Sequence, residues 1–341
     1  MIEYFIKRVA TLFFTLLFAS IVIFVSLEII PGDPASYMLG INAQEDTLLA
    51  LKKELGLDKP KIERYVLWVK GMLVGDFGVS YTYRSPVIEM VAERLWVSLP
   101  LAIYALLLST IIALPVGVFA AANRGKLSDF SIMGITQIGI AIPNFWFAML
   151  LVYLFAIILR WFSAGGFSGW EVGILLGLKS LTLPAIALAL PQASILARVM
   201  RSSLIDTLNE DFMKTARAKG LSFNKALIRH GIRNALIPVL TIIGLQFSFL
   251  MAGAIIIENV FFLPGLGRLI FQSIAQRDII VVESVIMLLV FSVVLVTFLV
   301  DIAYVIVDPR IDFEVKCQTL WLLLNLPNAV SYTHLTLPTK A

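Results

Sequence analysis

Two stretches of this chain, residues 98–122 and 131–159, contain no charged side chain. A helix rises about 1.5 Å per residue, so crossing about 30 Å of hydrocarbon takes about 20 mostly apolar residues. Both stretches are long enough to span a bilayer. Four more runs read the same way: 9–30, with Glu28 near its end; 180–197, shorter and holding Pro184 and Pro191; 235–257; and 279–307, with Glu283 and Asp301 near its two ends. A soluble protein with buried core helices has no use for so many long uncharged runs. Composition agrees, with 59% apolar residues, 15% charged and a mean hydropathy of +0.92, against roughly 45–50% and about 25% in soluble domains. The expected class is an all-α integral membrane protein of six transmembrane helices.

The run at 9–30 follows Lys7 and Arg8. Its apolar length exceeds the roughly 7–15 residues of a signal core, and no A-x-A-like cleavage site follows, so it reads as a retained anchor. Short cytoplasmic loops are enriched in Lys and Arg. Lys7 and Arg8, Arg124 and Lys126, and the series Arg198, Arg201, Lys214, Arg217, Lys219, Lys225, Arg229 and Arg233 then fall on one side. This places both termini in the cytoplasm. Segments 31–96, 160–179 and 258–278 lie outside, and the first, with helical apolar spacing at Tyr65, Trp68, Val69 and Met72, is expected to form a small ordered subdomain.

The loop 198–233 is too long and too patterned for a simple connector. Residues 206–219 lack proline and glycine and are rich in helix formers, Gly220 stands where a helix ends, and Ser222 suits the N-cap of a second helix. Phe212, Ala216 and Gly220 share one face by i, i+4, i+8 spacing, a stripe that lets another surface approach the backbone. A solvated basic loop held by anionic lipid headgroups is the competing reading; it explains the charges and leaves the stripe unexplained.

Polar residues in or near the spans are Asn144, Gln192, Gln246, Glu258, Glu283 and Asp301. The three carboxamides are candidates for lining a passage, and the three acids are expected to reach the membrane interface from the span ends. Pro143, Pro184, Pro191 and Pro238 can kink their helices. The lone cysteine, Cys317, has no disulfide partner, and His230 and His334 lie too far apart to suggest a local metal site. The only Gly-Lys pair, Gly125-Lys126, has Ala120 and Leu127 where a P-loop needs glycine and Ser or Thr, so the chain does not bind ATP by that motif. No catalytic residues, cofactor, metal or nucleic-acid partner are expected. An ATP-independent secondary transporter or channel would call for inverted repeats and ionisable groups deep in the spans, and a membrane enzyme for a His, Cys or acidic cluster.

Seven elements together carry a resemblance: PGDP at 31–34, GLDKP at 56–60, GDFG at 75–78, TARAKG at 215–220, RNALIP at 233–238, PGLGR at 264–268 and DPRI at 308–311. Their order and spacing resemble the first membrane subunit of the dipeptide and oligopeptide (peptide/nickel) ABC importers of bacteria and archaea. The resemblance covers residues 1 to about 313 and implies a type I ABC importer permease fold in the prokaryotic inner membrane. It further implies that Asp211, Phe212, Thr215, Ala216, Arg217, Ala218, Lys219 and Gly220 form a cytoplasmic coupling helix that docks on an ATPase. The implied partners are a second homologous permease, two P-loop ATPases, an extracytoplasmic solute-binding protein, and a peptide or similar small solute. Lys214 stands where that loop commonly has glutamate, and Ile232-Arg233 replaces Leu-Pro. Residues 314–341 depart from the likeness; their apolar piece at 318–330 is too short to span, and the ending reads as non-native.

Overall fold

The computed structural model describes residues 2–29, 34–40 and 43–307. The motif residues 31–33 and 308–311 and the segment 314–341 lie outside this described set, as does the side chain of Asp301. Every extended element among the described residues is a helix: α1 (Ile2–Ile29), α2 (Pro34–Leu39), α3 (Glu45–Glu54), α4 (Lys61–Leu73), α5 (Val87–Ala122), α6 (Leu127–Ala141), α7 (Asn144–Leu151), α8 (Ile174–Asn209), α9 (Asp211–Ala218), α10 (Phe223–Ala226), α11 (Ile232–Val260), α12 (Leu266–Ala275) and α13 (Ile279–Val307).

Five helical stretches are long and apolar enough to cross a membrane: Phe5–Ile29, Val87–Ala122, Ile174–Asn209, Phe223–Val260 and Ile279–Val300. The sixth expected span is broken. Leu127–Ala141 and Asn144–Ile158 meet at 98° instead of forming one continuous helix over 131–159. The cause is local: proline disfavours helical backbone in the residue before it, and Ile142 has ψ 124° ahead of Pro143 with ψ 132°. The proline-bearing run at 180–197 fares better than its sequence suggests. Pro184 and Pro191 sit inside the 36-residue α8, and α5 carries Pro100 and Pro115 in the same manner.

Small residues build the centre. Apolar area gives little drive for helix association in lipid, so close backbone approach through small side chains takes over. Buried Ala102 and Ala105 of α5 share one core cluster with buried Ala185 and Ala189 of α8, and Ala113 shares a second with Ala193 and Ala197. A Cβ on Gly117 would stand 2.6 Å from the Ala197 carbonyl oxygen, so the α5–α8 crossing tolerates no side chain there. Helix α11 packs against both, and α13 packs along α1.

Side-chain ties define two ends of the bundle. At one, Arg201 near the end of α8 holds Asp129 of α6 through Nε at 2.5 Å and Nη2 at 2.7 Å, Gly125 donates its amide to the same carboxylate, and α9 and α10 follow directly. At the other, α1 ends and the segment between α4 and α5 packs at the start of α13: Ser80 Oγ and the amides of Tyr81 and Thr82 all donate to Asp278. Helix α4 rests on α1 through Phe24, Tyr65 and Trp68, and Ser20 pairs with the Tyr65 hydroxyl at 2.9 Å. The outer segment gives way to α5 at Val87, earlier than the boundary expected at residue 96, because Pro86 supplies the N-cap φ and Val87 is already buried.

Candidate coupling loop and passage

The loop between α8 and α11 does not contain the single helix expected over 206–219. Residues 206–209 complete α8; Glu210, extended at ψ 151°, breaks the backbone; and α9 starts afresh at Asp211. No proline or glycine marks this break. Asp211 lies in the first turn, where a carboxylate favours the helix dipole, and its Oδ1 accepts Lys214 Nζ at 2.8 Å. That ammonium holds the Asp211 carboxyl below its usual range, and the carboxylate raises Lys214 in turn. Both side chains are exposed, so the pair organises charge more than it stabilises the fold.

The far end of α9 closes as the sequence suggests. Gly220 has φ +90°, its amide bonds the Arg217 carbonyl at 3.0 Å, and the Leu221 amide reaches back to Ala216 O at 3.3 Å. This is a Schellman ending, which needs the left-handed residue at that position. Leu221 then packs on Met213, Ala216 and Ala226, a small core that turns α10 back against α9. Ser222 does occupy the N-cap of α10, though its hydroxyl makes no capping bond.

That small core corrects the stripe. Ala216 is buried inside the loop, so it cannot share an outward docking face with Phe212 and Gly220. The exposed set is Asp211, Phe212, Thr215, Arg217, Ala218, Lys219 and Gly220, and no atom lies within 4 Å of where a Gly220 Cβ would stand. Arg217 reaches over the Phe223 ring at 6.0 Å. Beside it, a cleft of about 420 Å³ is lined by Leu208, Met213, Lys214, Arg217, Leu221, Ser222 and Phe223.

The three carboxamides border the junction of α7, α8 and α11. Asn144, half-buried just after the broken span, has its Nδ2 3.9 Å from the place of a Gly253 Cβ, and Leu188 lines the same spot one turn before Gln192. Gln246 does not line a passage: it is 2% exposed and its Nε2 donates to the Gln192 main-chain oxygen at 2.8 Å. The acids also differ from expectation. Neither Glu258 nor Glu283 reaches an interface, being 0% and 4% exposed. Glu258 accepts Ser98 Oγ and the Gly267 and Arg268 amides, which ties α5, α11 and the start of α12 together. Nearness to a span end in sequence says nothing of a helix and loop folded over that end, and α12 covers Glu258. Among the described residues no group of three His, Cys, Asp or Glu side chains could hold a metal.

A bundle of apolar helices, one of them broken, with an ordered basic loop at one end is the build of a multi-span membrane protein. Residues 113–313 match the family of binding-protein-dependent transport system inner membrane components, and residues 1–102 match the N-terminal family of the same transport-system membrane components. The chain belongs to this family. A protein of Brucella suis biovar 1 named as a peptide transport system permease is 39% identical over 309 residues, 91% of this chain and 98% of the relative. The glutathione transport system permease protein GsiC of Escherichia coli K12 is 36% identical over 314 residues, 92% of this chain and all of the relative. Among solved structures, an inward facing conformation of the MetNI methionine ABC transporter matches with a TM-score of 0.54 at 19% identity, covering 64% of this chain and 96% of that one. That likeness concerns the fold.

Proposed function

We propose that this chain is one of two homologous permeases in an ATP-driven importer, and that the pair forms a passage for peptides or similar small solutes. A solute-binding protein delivers the cargo from outside, and two cytoplasmic P-loop ATPases supply the work. Both named relatives support the solute class, since one is named for peptide and the other for glutathione transport, and glutathione is itself a small peptide. The concentration of Lys and Arg around 124–126 and 198–233 supports a cytoplasmic location for that end and for both termini.

The observation that carries the reading is the build of the 211–226 loop. It has its own small core, a Schellman ending at Gly220 and an exposed outer face. A loop braced in this way moves as a unit. An ATPase closing on ATP then pushes Phe212, Thr215, Arg217, Ala218, Lys219 and Gly220 together, and α8 and α11, which enter and leave the loop, carry the displacement into the bundle. Rigid-body rocking of this kind alternates access between the two sides. Asn144, at the helix break where one span can bend, and Gln192 of α8 are the passage candidates. The test is uptake of a labelled dipeptide into proteoliposomes holding both permeases and both ATPases. Uptake should require ATP and the binding protein; uptake driven by an ion gradient without ATP would overturn the reading.

A further inference from the structure

The loop 211–226 enters α11 through a turn that is not α-helical. The Ile232 amide bonds the Leu227 carbonyl, five residues back instead of the four of an α-turn, so residues 227–231 form a wide turn. Turns of this kind are rare and occur mostly inside α-helices, often at functional sites. We propose that this one is a joint: when the loop is driven, the Ile232 amide exchanges Leu227 O for Ile228 O, the turn closes to α-helical width, and the loop swings about the head of α11. This rests on the loop being the part that an ATPase drives.

The turn itself is soft. No proline forces its width, since residues 223–237 contain none. Its last residue, Gly231, is a poor helix former, and it is buried against α8, where a Cβ would stand 3.3 Å from Leu204 Cδ1 and 3.8 Å from Leu208 Cδ2. Glycine thus weakens the turn and lets it lie close to its neighbour. Side chains then serve the carbonyls around the head of α11. Asn234 Nδ2 donates to His230 O at 2.8 Å, and Ser203 Oγ of α8 donates to Ala235 O at 2.8 Å. Pro238 has no N–H to offer Asn234 O. Ile228 and Arg229, on the turn, are exposed, so shifting them disturbs no core packing.

The surroundings concentrate movement there. At its other end the loop is separated from α8 by the extended Glu210. Just inside these two points α8 and α11 are fastened to each other, by the Ser203 to Ala235 bond and by Leu204, Leu227 and Ala235 in one buried cluster. The loop is braced by its own core of Met213, Ala216 and Ala226. A rigid piece therefore hangs between two yielding points on a fastened pair of helices, and hinges of this kind are a few residues at element ends that absorb the backbone change. Glu210 is the hinge toward α8, and the wide turn is the hinge toward α11.

Two changes to the assembled transporter test the joint. Deleting the exposed Arg229 leaves Leu227 four residues before Ile232, so the same bond becomes an ordinary α-helical one with the flanking helices in place. This variant should keep its ATPases on co-purification and lose ATP-driven dipeptide uptake about tenfold. The second change is made after folding: Arg229→Cys/Arg233→Cys, both exposed, in a Cys317→Ser chain, is bridged across the turn by a short dithiol reagent. Uptake should be near the wild-type level before bridging and fall about as far after it, with the ATPases still bound. The same bridge between Ile62→Cys and Val66→Cys on α4, also exposed, should change nothing. Unimpaired uptake by the deletion variant or the bridged protein, loss of the ATPases from either, or an equal effect of the α4 bridge would each overturn the joint. Uptake by the wild type without ATP would instead overturn the ATPase-driven reading beneath it.

Discussion

Ser98 and Glu258, 160 residues apart, are joined by a hydrogen bond of 2.5 Å from the serine hydroxyl to the carboxylate. Ser98 Oγ in turn accepts the Leu266 amide at 2.8 Å, and Glu258 accepts the Gly267 amide at 2.7 Å. The first amides of α12 are thereby satisfied by side chains from two other helices, and a Cβ at Gly265 would collide with the carboxylate and one at Gly267 with the Ile255 backbone. Glu258→Ala leaves Ser98 Oγ and the Gly267 amide without this acceptor, at about 1–3 kcal/mol for each group left unsatisfied. We expect a loss of stability on the order of 3 kcal/mol, read as a large drop in the thermal unfolding midpoint in detergent. Glu258→Gln keeps one acceptor oxygen and should fall between. A midpoint unchanged by Glu258→Ala would show that α12 is held by its apolar face alone.

Asp129 and Arg201 make the corresponding tie at the opposite end, with Asp129 4% exposed and Arg201 bonded to it by two nitrogens. Paired guanidinium–carboxylate contacts in such a setting are among the stronger side-chain bonds. Arg201→Met strands a buried carboxylate and should destabilise more than the double variant Asp129→Asn/Arg201→Met, by roughly 1–3 kcal/mol. Equal stabilities of single and double variants would show that the two side chains are not coupled.

The orientation can be read by cysteine labelling after Cys317→Ser removes the native thiol. Lys70 and Lys219 are both exposed, on α4 and at the end of α9. Lys70→Cys should label from outside the cell and Lys219→Cys only after the membrane is opened. Reversed labelling would invert the topology and remove the ATPase from the 211–226 loop.

The sequence made the spans legible because apolar length is a one-dimensional property, and it made Gly220 legible because a left-handed helix end leaves a glycine. The break at Glu210 left no such mark, since an extended residue between two helices needs neither proline nor glycine. Pro143 signalled a bend, but its size depends on where the following helix finds packing, and Asn144 to Leu151 packs on α8 and α11. Ala216 reads as an outward small residue on a helical wheel and is buried only because α10 folds back on it through Leu221 and Ala226. Gln246 likewise looked available until α8 placed a main-chain oxygen within its reach. The family motifs named the loop; they did not say which of its residues face outward.

Ala216 and Gly220 now call for different outcomes from bulky substitution. Ala216→Trp overfills the core of Met213, Leu221 and Ala226 and should unfold the loop itself, at roughly 1–3 kcal/mol or more. Limited proteolysis between residues 209 and 226 should then speed up. Gly220→Ala has open space around it and meets only the strain of φ +90°, roughly 1 kcal/mol. If Ala216→Trp leaves the loop protease-resistant, the buried placement of that residue is wrong.

The central claim is that the exposed face of the 211–220 segment transmits ATPase motion by shape, and one comparison tests it most directly. Dipeptide uptake and ATPase co-purification are measured for Gly220→Trp and for the triple neutralisation of Lys214, Arg217 and Lys219, each in a chain shown to insert normally. Shape-based docking predicts that Gly220→Trp abolishes coupled uptake and loses the ATPase, while the neutralised variant keeps much of both. Normal uptake by a well-expressed Gly220→Trp protein, with transport lost on charge neutralisation instead, would contradict the account.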